Sequence, residues 1–326
     1  MVKLLESQTL LKKRYMIASP IGQGGMGAVY RAEDTLLSGR VCAIKEIAPD
    51  PDLDPDLLRQ LQEQFRQEAS VLARLDHPNL PKVSDYFSQR GREYLVMDYV
   101  PGHNLREIIE DARNEKRFLK EAQVLDWADQ LCSALSYMHQ QEPPILHRDI
   151  KPSNIKLMPS GLIKLVDFGL VKLMTSDESR TVTVVQGQGT AAYTPLEQYG
   201  GDDAHTDIRS DIYALGATLY HLLTGRSPAT ARERFLNPQV LIRPRSINAH
   251  ISPQVEEAIL LALALHPNER PASVEAVRAK LHRSVLPSSL QPVVLTSREW
   301  RKSLARNLPL LITTGAMILV ALLITP

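Results

Sequence analysis

Cysteine is scarce in this 326-residue chain: Cys42 and Cys132 stand alone, with no paired spacing and no histidine cluster beside them. That excludes a disulfide framework and a zinc site, and points to two buried thiols in a reducing compartment. Net charge is lacking too. Lys plus Arg number 38 against 37 Asp plus Glu, a formal +1, so the whole chain exerts no pull on nucleic acid or any acidic partner. The N-terminus, MVKLLESQTLLKKRY, has no apolar stretch of signal-peptide length, and the main body is expected to stay in the cytoplasm. Internal repeats and long low-complexity tracts are also missing. The length leaves room for one large catalytic unit or two ordinary domains, and for a substantial core.

One run breaks the even composition. Leu308 to Ile324, LPLLITTGAMILVALLI, holds no charged residue. Seventeen residues at helical rise extend roughly 26 Å, at the short end of what crosses a hydrocarbon core. Arg298, Arg301, Lys302 and Arg306 precede it, with Trp300 among them. Basic flanks stay cytoplasmic and Trp favours the interface. A transmembrane helix over 308–325 is therefore expected, anchoring the protein to the cell membrane by a single C-terminal pass with its main body in the cytoplasm. A terminal helix buried in the globular body is the alternative. Ahead of it, 284–307 reads as a linker and basic juxtamembrane segment, since Pro287, Ser288, Ser289 and Pro292 carry no helical period.

The remaining chain divides into an extension, 1–14, and a body, 15–283. The body's first third is strand-rich: RYMIASPIG and AVYRAED flank a glycine cluster, VCAIKEI is a short β-branched run, and REYLVMDYV is a further strand. Between them DPDLLRQLQEQFRQEASVLARL has helical spacing, with Pro55 suited to a first turn. Beyond Gly102 helices dominate, in VLDWADQLCSALSYMHQ, SDIYALGATLYHLLTG and SPQVEEAILLALAL. The expectation is an α+β, bilobal fold with a small β-rich lobe over about 15–100 and a larger helical lobe over about 101–283. A cleft between two such lobes is a ligand site.

Four strings carry chemistry. The first is Ile21-Gly22-Gln23-Gly24-Gly25-Met26-Gly27-Ala28-Val29. Glycines let a strand–turn–strand bring backbone N–H groups close to phosphate oxygens. A dinucleotide-binding turn would need a helix to start within the motif, whereas a β-branched, aromatic strand follows, so the hairpin form is preferred. Next, Lys45 in Ala43-Ile44-Lys45 is a point cation for α- and β-phosphates, with Glu68 of the following helix as its acidic partner. Glu63 reads as a solvated charge. In His147-Arg148-Asp149, with Asn154 five residues on, Asp149 can accept the proton of an attacking hydroxyl and Asn154 can hold Mg²⁺. Lys151 between them can neutralise charge on the transferring phosphoryl group. Finally, Asp167-Phe168-Gly169 follows an apolar strand and offers a hard oxygen ligand to the same metal.

With these four motifs in this order, the chain resembles the bacterial Hanks-type (eukaryotic-like) serine/threonine protein kinases from about Tyr15 to Leu281. The resemblance implies ATP and Mg²⁺, or Mn²⁺, as cofactors and proteins bearing Ser/Thr acceptors as partners, with no role for nucleic acid. It identifies Met97 as the gatekeeper, Asp98 to Val100 as the hinge that binds adenine, and Val29 and Ala43 as the roof over the ring. Gly189 to Glu197 resembles the substrate-docking end of the activation segment, with Thr190 near Asp149 and Lys151. Glu197 would pair with Arg270, and Asp211 would brace the catalytic loop. Arg148 beside Asp149 implies an anionic partner, supplied by autophosphorylation among Ser179, Thr181 and Thr183, with a homodimer as the route to phosphorylation in trans. Two positions depart from the pattern. Leu196 stands where a proline is common, and Lys156 occupies the apolar floor of the adenine pocket, where its stem can pack against the base.

Two rival readings compete with this one. A pseudokinase scaffold at the membrane would have lost a metal or phosphate residue, yet Lys45, Asp149, Asn154 and Asp167 are all present. A small-molecule kinase on a related fold would not need Gly189 to Glu197 and would lack the Lys-Pro-Ser-Asn continuation of the catalytic loop.

Overall fold

Side-chain alternation organises the first third of the protein. A computed structural model describes residues 4–24, 27–47, 55–167, 190–199 and 206–282. In it β1 (Leu10–Leu11), β2 (Tyr15–Gly24), β3 (Gly27–Asp34), β4 (Val41–Ile47), β5 (Val83–Gln89) and β6 (Arg92–Asp98) form an antiparallel sheet ordered β1-β2-β3-β4-β6-β5. Period two sends Ala28, Tyr30, Ala32, Cys42, Ile44, Tyr94 and Val96 to one face. Ala43, Ile47, Leu95 and Met97 go to the other, where they join a core that continues into the helical lobe. Lys45 sits on this second face, opposite Val29 on one side and Leu95 on the other.

The outer face is covered by a segment that the sequence reading set apart as an extension. Leu4 and Leu5 pack on it, Leu11 is buried in it, and β1 adds an edge strand. Arg14 donates twice to Asp34, at 2.9 and 2.7 Å, while Lys12 and the Tyr15 hydroxyl both reach Asp85 at 2.8 Å. Beneath lies the buried carboxylate of Glu46, which accepts from Tyr30 Oη, Arg92 Nη1 and Tyr94 Oη at 2.8, 2.7 and 3.0 Å. A buried carboxylate without such donors would be strongly unfavourable.

Helix α1 (Pro55–Leu72) begins at Pro55, which lacks the N–H a first turn leaves unbonded anyway. After β6 the chain forms β7 (His103–Asn104), then α2 (Leu105–Asn114), entered through a capping box between Asn104 and Glu107. The long α3 (Glu121–His139) buries Val124, Trp127, Ala128, Leu131, Leu135 and Met138 at helical spacing. Next come β8 (Ile155–Leu157) and β9 (Ile163–Leu165), which pair with β7 in the order β7-β8-β9. Helix α4 (Ile208–Thr224) is buried almost all round, as its apolar sequence requires. Asp207 caps its start, and Gly225 at φ 67° provides the left-handed residue that ends it. Short helices α5 (Ala231–Leu236) and α6 (Pro244–Ile247) lead to α7 (Pro253–Ala262) and α8 (Val274–Leu281). The result is a β-rich lobe joined to a helical one.

Among the described residues no helix is long and apolar enough to cross a membrane. The segment 308–325, assigned to a span on sequence grounds, lies outside the described residues, as does 284–307.

Deep in the helical lobe, Arg270 donates to both oxygens of Glu197, at 2.6 and 3.0 Å, and to the carbonyls of Ala264, Leu265 and Arg209. Burial pushes the Glu197 carboxyl up, but the Arg270 guanidinium more than offsets this and holds it below its ordinary 4.5. Arg270→Met should lower the unfolding free energy by about 3–5 kcal/mol, read from urea midpoints. A carboxylate with a depressed folded pKa stabilises above its unfolded value and loses that contribution as pH falls through the folded one. The difference between wild type and variant should therefore be full at neutral pH and shrink as pH drops below 4.5.

Candidate active site

Asp211, in the first turn of α4, sets up the site from below. It is fully buried, and its carboxylate accepts the backbone N–H of His147 and of Arg148, each at 2.9 Å, with His139 Nε2 also at 2.9 Å. Burial pushes this carboxyl up, yet His139 and the two amides together hold it below its ordinary range. These bonds hold the backbone where Arg148 adopts φ 63°, a conformation costing a non-glycine residue about 1–3 kcal/mol. His147 is fully buried beside it, and burial drives its pKa down.

Directly after Arg148, the Asp149 carboxylate meets two groups at once. Lys151 Nζ and Asn154 Nδ2 each reach its Oδ2 at 2.9 Å, and Asn154 Nδ2 also donates to the Asp149 carbonyl at 2.9 Å. Asn154 comes from the 3-10 turn Pro152–Asn154, a geometry favoured by proline at its first position. Lys151 Nζ extends further, to Thr190 Oγ1 at 3.2 Å. The residues from Thr190 onward are thereby joined to the loop that carries Asp149.

Above them, Lys45 Nζ donates to Asp167 Oδ1 at 3.0 Å. The Lys45 ammonium holds the Asp167 carboxyl below its ordinary range, against the opposing effect of burial. Asp167 is also left-handed, at φ 63°. Glu68 lies on α1, but its side chain is outside the described residues, as are Gly25, Met26, Phe168, Gly169 and the candidate phosphosites Ser179, Thr181 and Thr183.

The surroundings of Lys45 follow from register. Ala43 pairs with Met97 across β4 and β6, both buried, and Val29 flanks Lys45 from β3. Asp98 closes the sheet: its N–H donates to the Lys82 carbonyl at 3.0 Å and its Oδ2 accepts the Lys82 N–H at 3.2 Å. Val100 is buried immediately beyond. Ile21, Gly22, Gln23 and Gly24 end β2, and Gly24 pairs with Gly27, so the described residues of the glycine motif lie on two paired strands. A Cβ on Gly27 would sit 1.9 Å from the Glu46 carbonyl oxygen, which only glycine avoids. Lys156 lies on β8 between Asn104 and Lys164, partly buried. Sequence reasoning gave no role to His139 or His221. Each is a single histidine near the end of its helix, and only the tertiary contacts distinguish them.

The Protein kinase domain family matches residues 15–281. The chain belongs to the protein kinase family. It is 34% identical over 287 residues to a probable serine/threonine-protein kinase of Streptomyces coelicolor, covering 85% of this chain and 41% of that one. It is 33% identical over 276 residues to serine/threonine-protein kinase B of Synechocystis, covering 82% of this chain and 46% of the relative. The chain thus spans less than half the length of these curated relatives. Among solved structures, PpkA-294 in its apo form superposes with a TM-score of 0.71 at 31% identity, covering 85% of this chain and 99% of that one. The kinase domain of Mycobacterium tuberculosis PknI gives 0.64 at 25% identity, covering 85% and 98%.

Family membership implies ATP and a divalent metal ion. Among the described residues no group of three or more His, Cys, Asp or Glu is placed to hold a metal. A kinase site does not require one, because Mg²⁺ takes one or two protein oxygens and completes its shell with water and phosphate. The Asp167 carboxylate, ionised beside Lys45, and the Asn154 amide oxygen form such a donor set. Asn154 turns its nitrogen to Asp149, which leaves its oxygen on the opposite edge, where Ser153 Oγ lies at 3.3 Å. The residues present fit the ion.

Lys45→Met should weaken ATP binding by about tenfold or more, the value of a charge-assisted contact to phosphate. Titration calorimetry with ATP and Mg²⁺ measures it; an unchanged affinity would remove Lys45 from the nucleotide site.

Proposed function

We propose that the protein is a serine/threonine protein kinase that transfers the γ-phosphoryl group of ATP to Ser or Thr hydroxyls of protein substrates. One observation carries the reading: the Asp149 carboxylate is held at 2.9 Å by both Lys151 and Asn154, with Thr190 on the far side of the lysine. An acceptor hydroxyl beside Asp149 gives its proton to that carboxylate as its oxygen attacks the phosphorus. Lys151 is placed to neutralise charge that builds on the moving phosphoryl group, and Lys45 to bind the phosphates that stay behind. Asp167 and Asn154 would hold Mg²⁺, or Mn²⁺, which neutralises phosphate charge. Adenine packs under Val29 and Ala43, with Met97 as the gatekeeper and the backbone of the hinge, Asp98 to Val100, along its edge. The contact between Lys151 and Thr190, together with the names of the relatives, supports Ser/Thr over Tyr as acceptor.

Regulation and location belong to the same proposal. A phosphate on Ser179, Thr181 or Thr183, added in trans by a second copy, would bring an anion to Arg148, which stands beside Asp149. The uncharged run 308–325 and its basic flank anchor the kinase to the cytoplasmic face of the cell membrane.

Asp149→Asn should lower phosphoryl transfer to a Ser/Thr peptide library by about 10²–10⁴-fold while still binding ATP. Mass spectrometry should find phosphate among Ser179, Thr181 and Thr183 in the wild type and none in the variant. Equal incorporation by the two proteins would remove Asp149 from its role. In cell fractionation without detergent the full chain should sediment with membranes and a variant lacking 308–326 should not; a soluble full chain would sink the anchor.

A further inference from the structure

Glu46 is buried on β4, one residue after Lys45, and the pleat turns its side chain to the face opposite the cleft. Its Oε1 accepts from Arg92 Nη1 at 2.7 Å and Tyr94 Oη at 3.0 Å, and its Oε2 from Tyr30 Oη at 2.8 Å. An apolar side chain would pack such a position as well, so packing alone does not explain three donors converging on a charge there. The Tyr30 hydroxyl also has a second partner. Having given its proton to Glu46, the oxygen accepts the backbone N–H of Leu5 at 3.0 Å. Burial pushes this phenol up to about 12, so it stays a donor at neutral pH. Leu5 is held in place by its neighbours. Leu4 packs beside it on the outer face, Ser7 Oγ donates to the Ala18 carbonyl at 3.0 Å, and the Gln8 N–H donates to the Ile17 carbonyl at 2.8 Å.

Two contacts carry the position of Glu46 to the cleft. Lys45 shares its backbone, so a turn of β4 about its own axis moves both side chains together, and Lys45 Nζ lies 3.0 Å from Asp167 Oδ1, a geometry that small tilts spoil. Gly27 rests on Glu46 directly. A Cβ on Gly27 would lie 1.9 Å from the Glu46 carbonyl oxygen, and the next residue, Ala28, pairs with Glu46 across β3 and β4. Both elements that would meet the phosphates of ATP are therefore seated on Glu46, whereas Lys151 and Thr190, which contact each other beside Asp149, belong to the helical lobe.

We propose that Glu46 and Tyr30 are positioning residues for Lys45 and the glycine motif, and that the N-terminal segment sets the affinity for ATP by closing their network through Leu5. The proposal rests on the kinase reading of Lys45. A misplacement of about 1 Å far from the chemistry can cost about 10²-fold in rate, so a smaller tilt of β4 registers as a severalfold change in ATP affinity. Substrate hydroxyls meet Asp149 in the other lobe, and their binding does not pass through β4.

The test uses the full-length chain. Tyr30→Phe keeps the ring and removes only the hydroxyl. It should raise the Kd for ATP with Mg²⁺ about fivefold in titration calorimetry, and the KM for ATP with it, while the KM for a Ser/Thr peptide at saturating ATP stays unchanged. Deleting residues 2–5 should act in the same direction. Combined with Tyr30→Phe, the deletion should fall short of the product of the two effects, since both remove one link. Glu46→Gln keeps an oxygen for its donors and should lose less than Glu46→Leu; Tyr30→Phe decides the matter even if Glu46→Leu does not fold. A Tyr30→Phe protein whose urea midpoint falls but whose ATP affinity is unchanged, or effects of that variant and the deletion that simply multiply, overturns the positioning role and leaves phosphoryl transfer standing. A wild type that binds no ATP overturns the kinase reading along with it.

Discussion

A single buried carboxylate holds the catalytic centre in shape. Asp211 receives three N–H groups, two from the backbone of the catalytic loop and one from His139 at the end of α3. Charge in a fully buried position survives only when its donors are in place, so the carboxylate and the loop specify each other. Arg148 can keep its left-handed backbone because its own amide and the one before it are both pinned to Asp211. Asp149 then projects toward Lys151 and Asn154 instead of into the core. The chemistry at the cleft is thus set by a contact buried beneath it.

The upper half of the site depends on a different constraint, the pleat of the sheet. Lys45, Ala43, Val29 and Met97 share a face because their strands pair in one register. A slip of one residue would carry Glu46 into the cleft and Lys45 out of it. Glu46 resists that slip, since its carboxylate is locked on the outer face by Tyr30, Tyr94 and Arg92. Adjacent residues of β4 therefore serve opposite faces. The basic one faces Asp167, and the acidic one keeps the strand from sliding.

Much of this was legible in the linear order of residues, and the reasons are physical. Alternating β-branched runs and the helical spacing of α3 and α4 predict elements that form where expected, because burial enforces each period. The residues that meet as Asp149 with Asn154 and as Lys45 with Asp167 were readable because the chemistry expected of them demands particular residue types in ordered motifs. The contact that His221 makes was not, since a histidine in a largely apolar helix looks the same whether it faces solvent or core, and its partner is Tyr193, 28 residues earlier. The contacts of residues 4–14 were not legible either, for a related reason. Their leucines and basic residues show no strong period, and what orders them is a set of partners, Asp34, Asp85 and Tyr30, that only the folded sheet brings within reach.

The covering of the outer sheet bears on where this domain begins. The family match starts at Tyr15, yet a polypeptide cut there would lose the guanidinium of Arg14 from a fully buried Asp34, the ammonium of Lys12 from Asp85, and the leucines that roof Tyr30 and Ile44. Similarity between sequences marks the stretch shared with relatives. The unit that folds as one is longer, and its first residues are part of the machinery that keeps β4 in place.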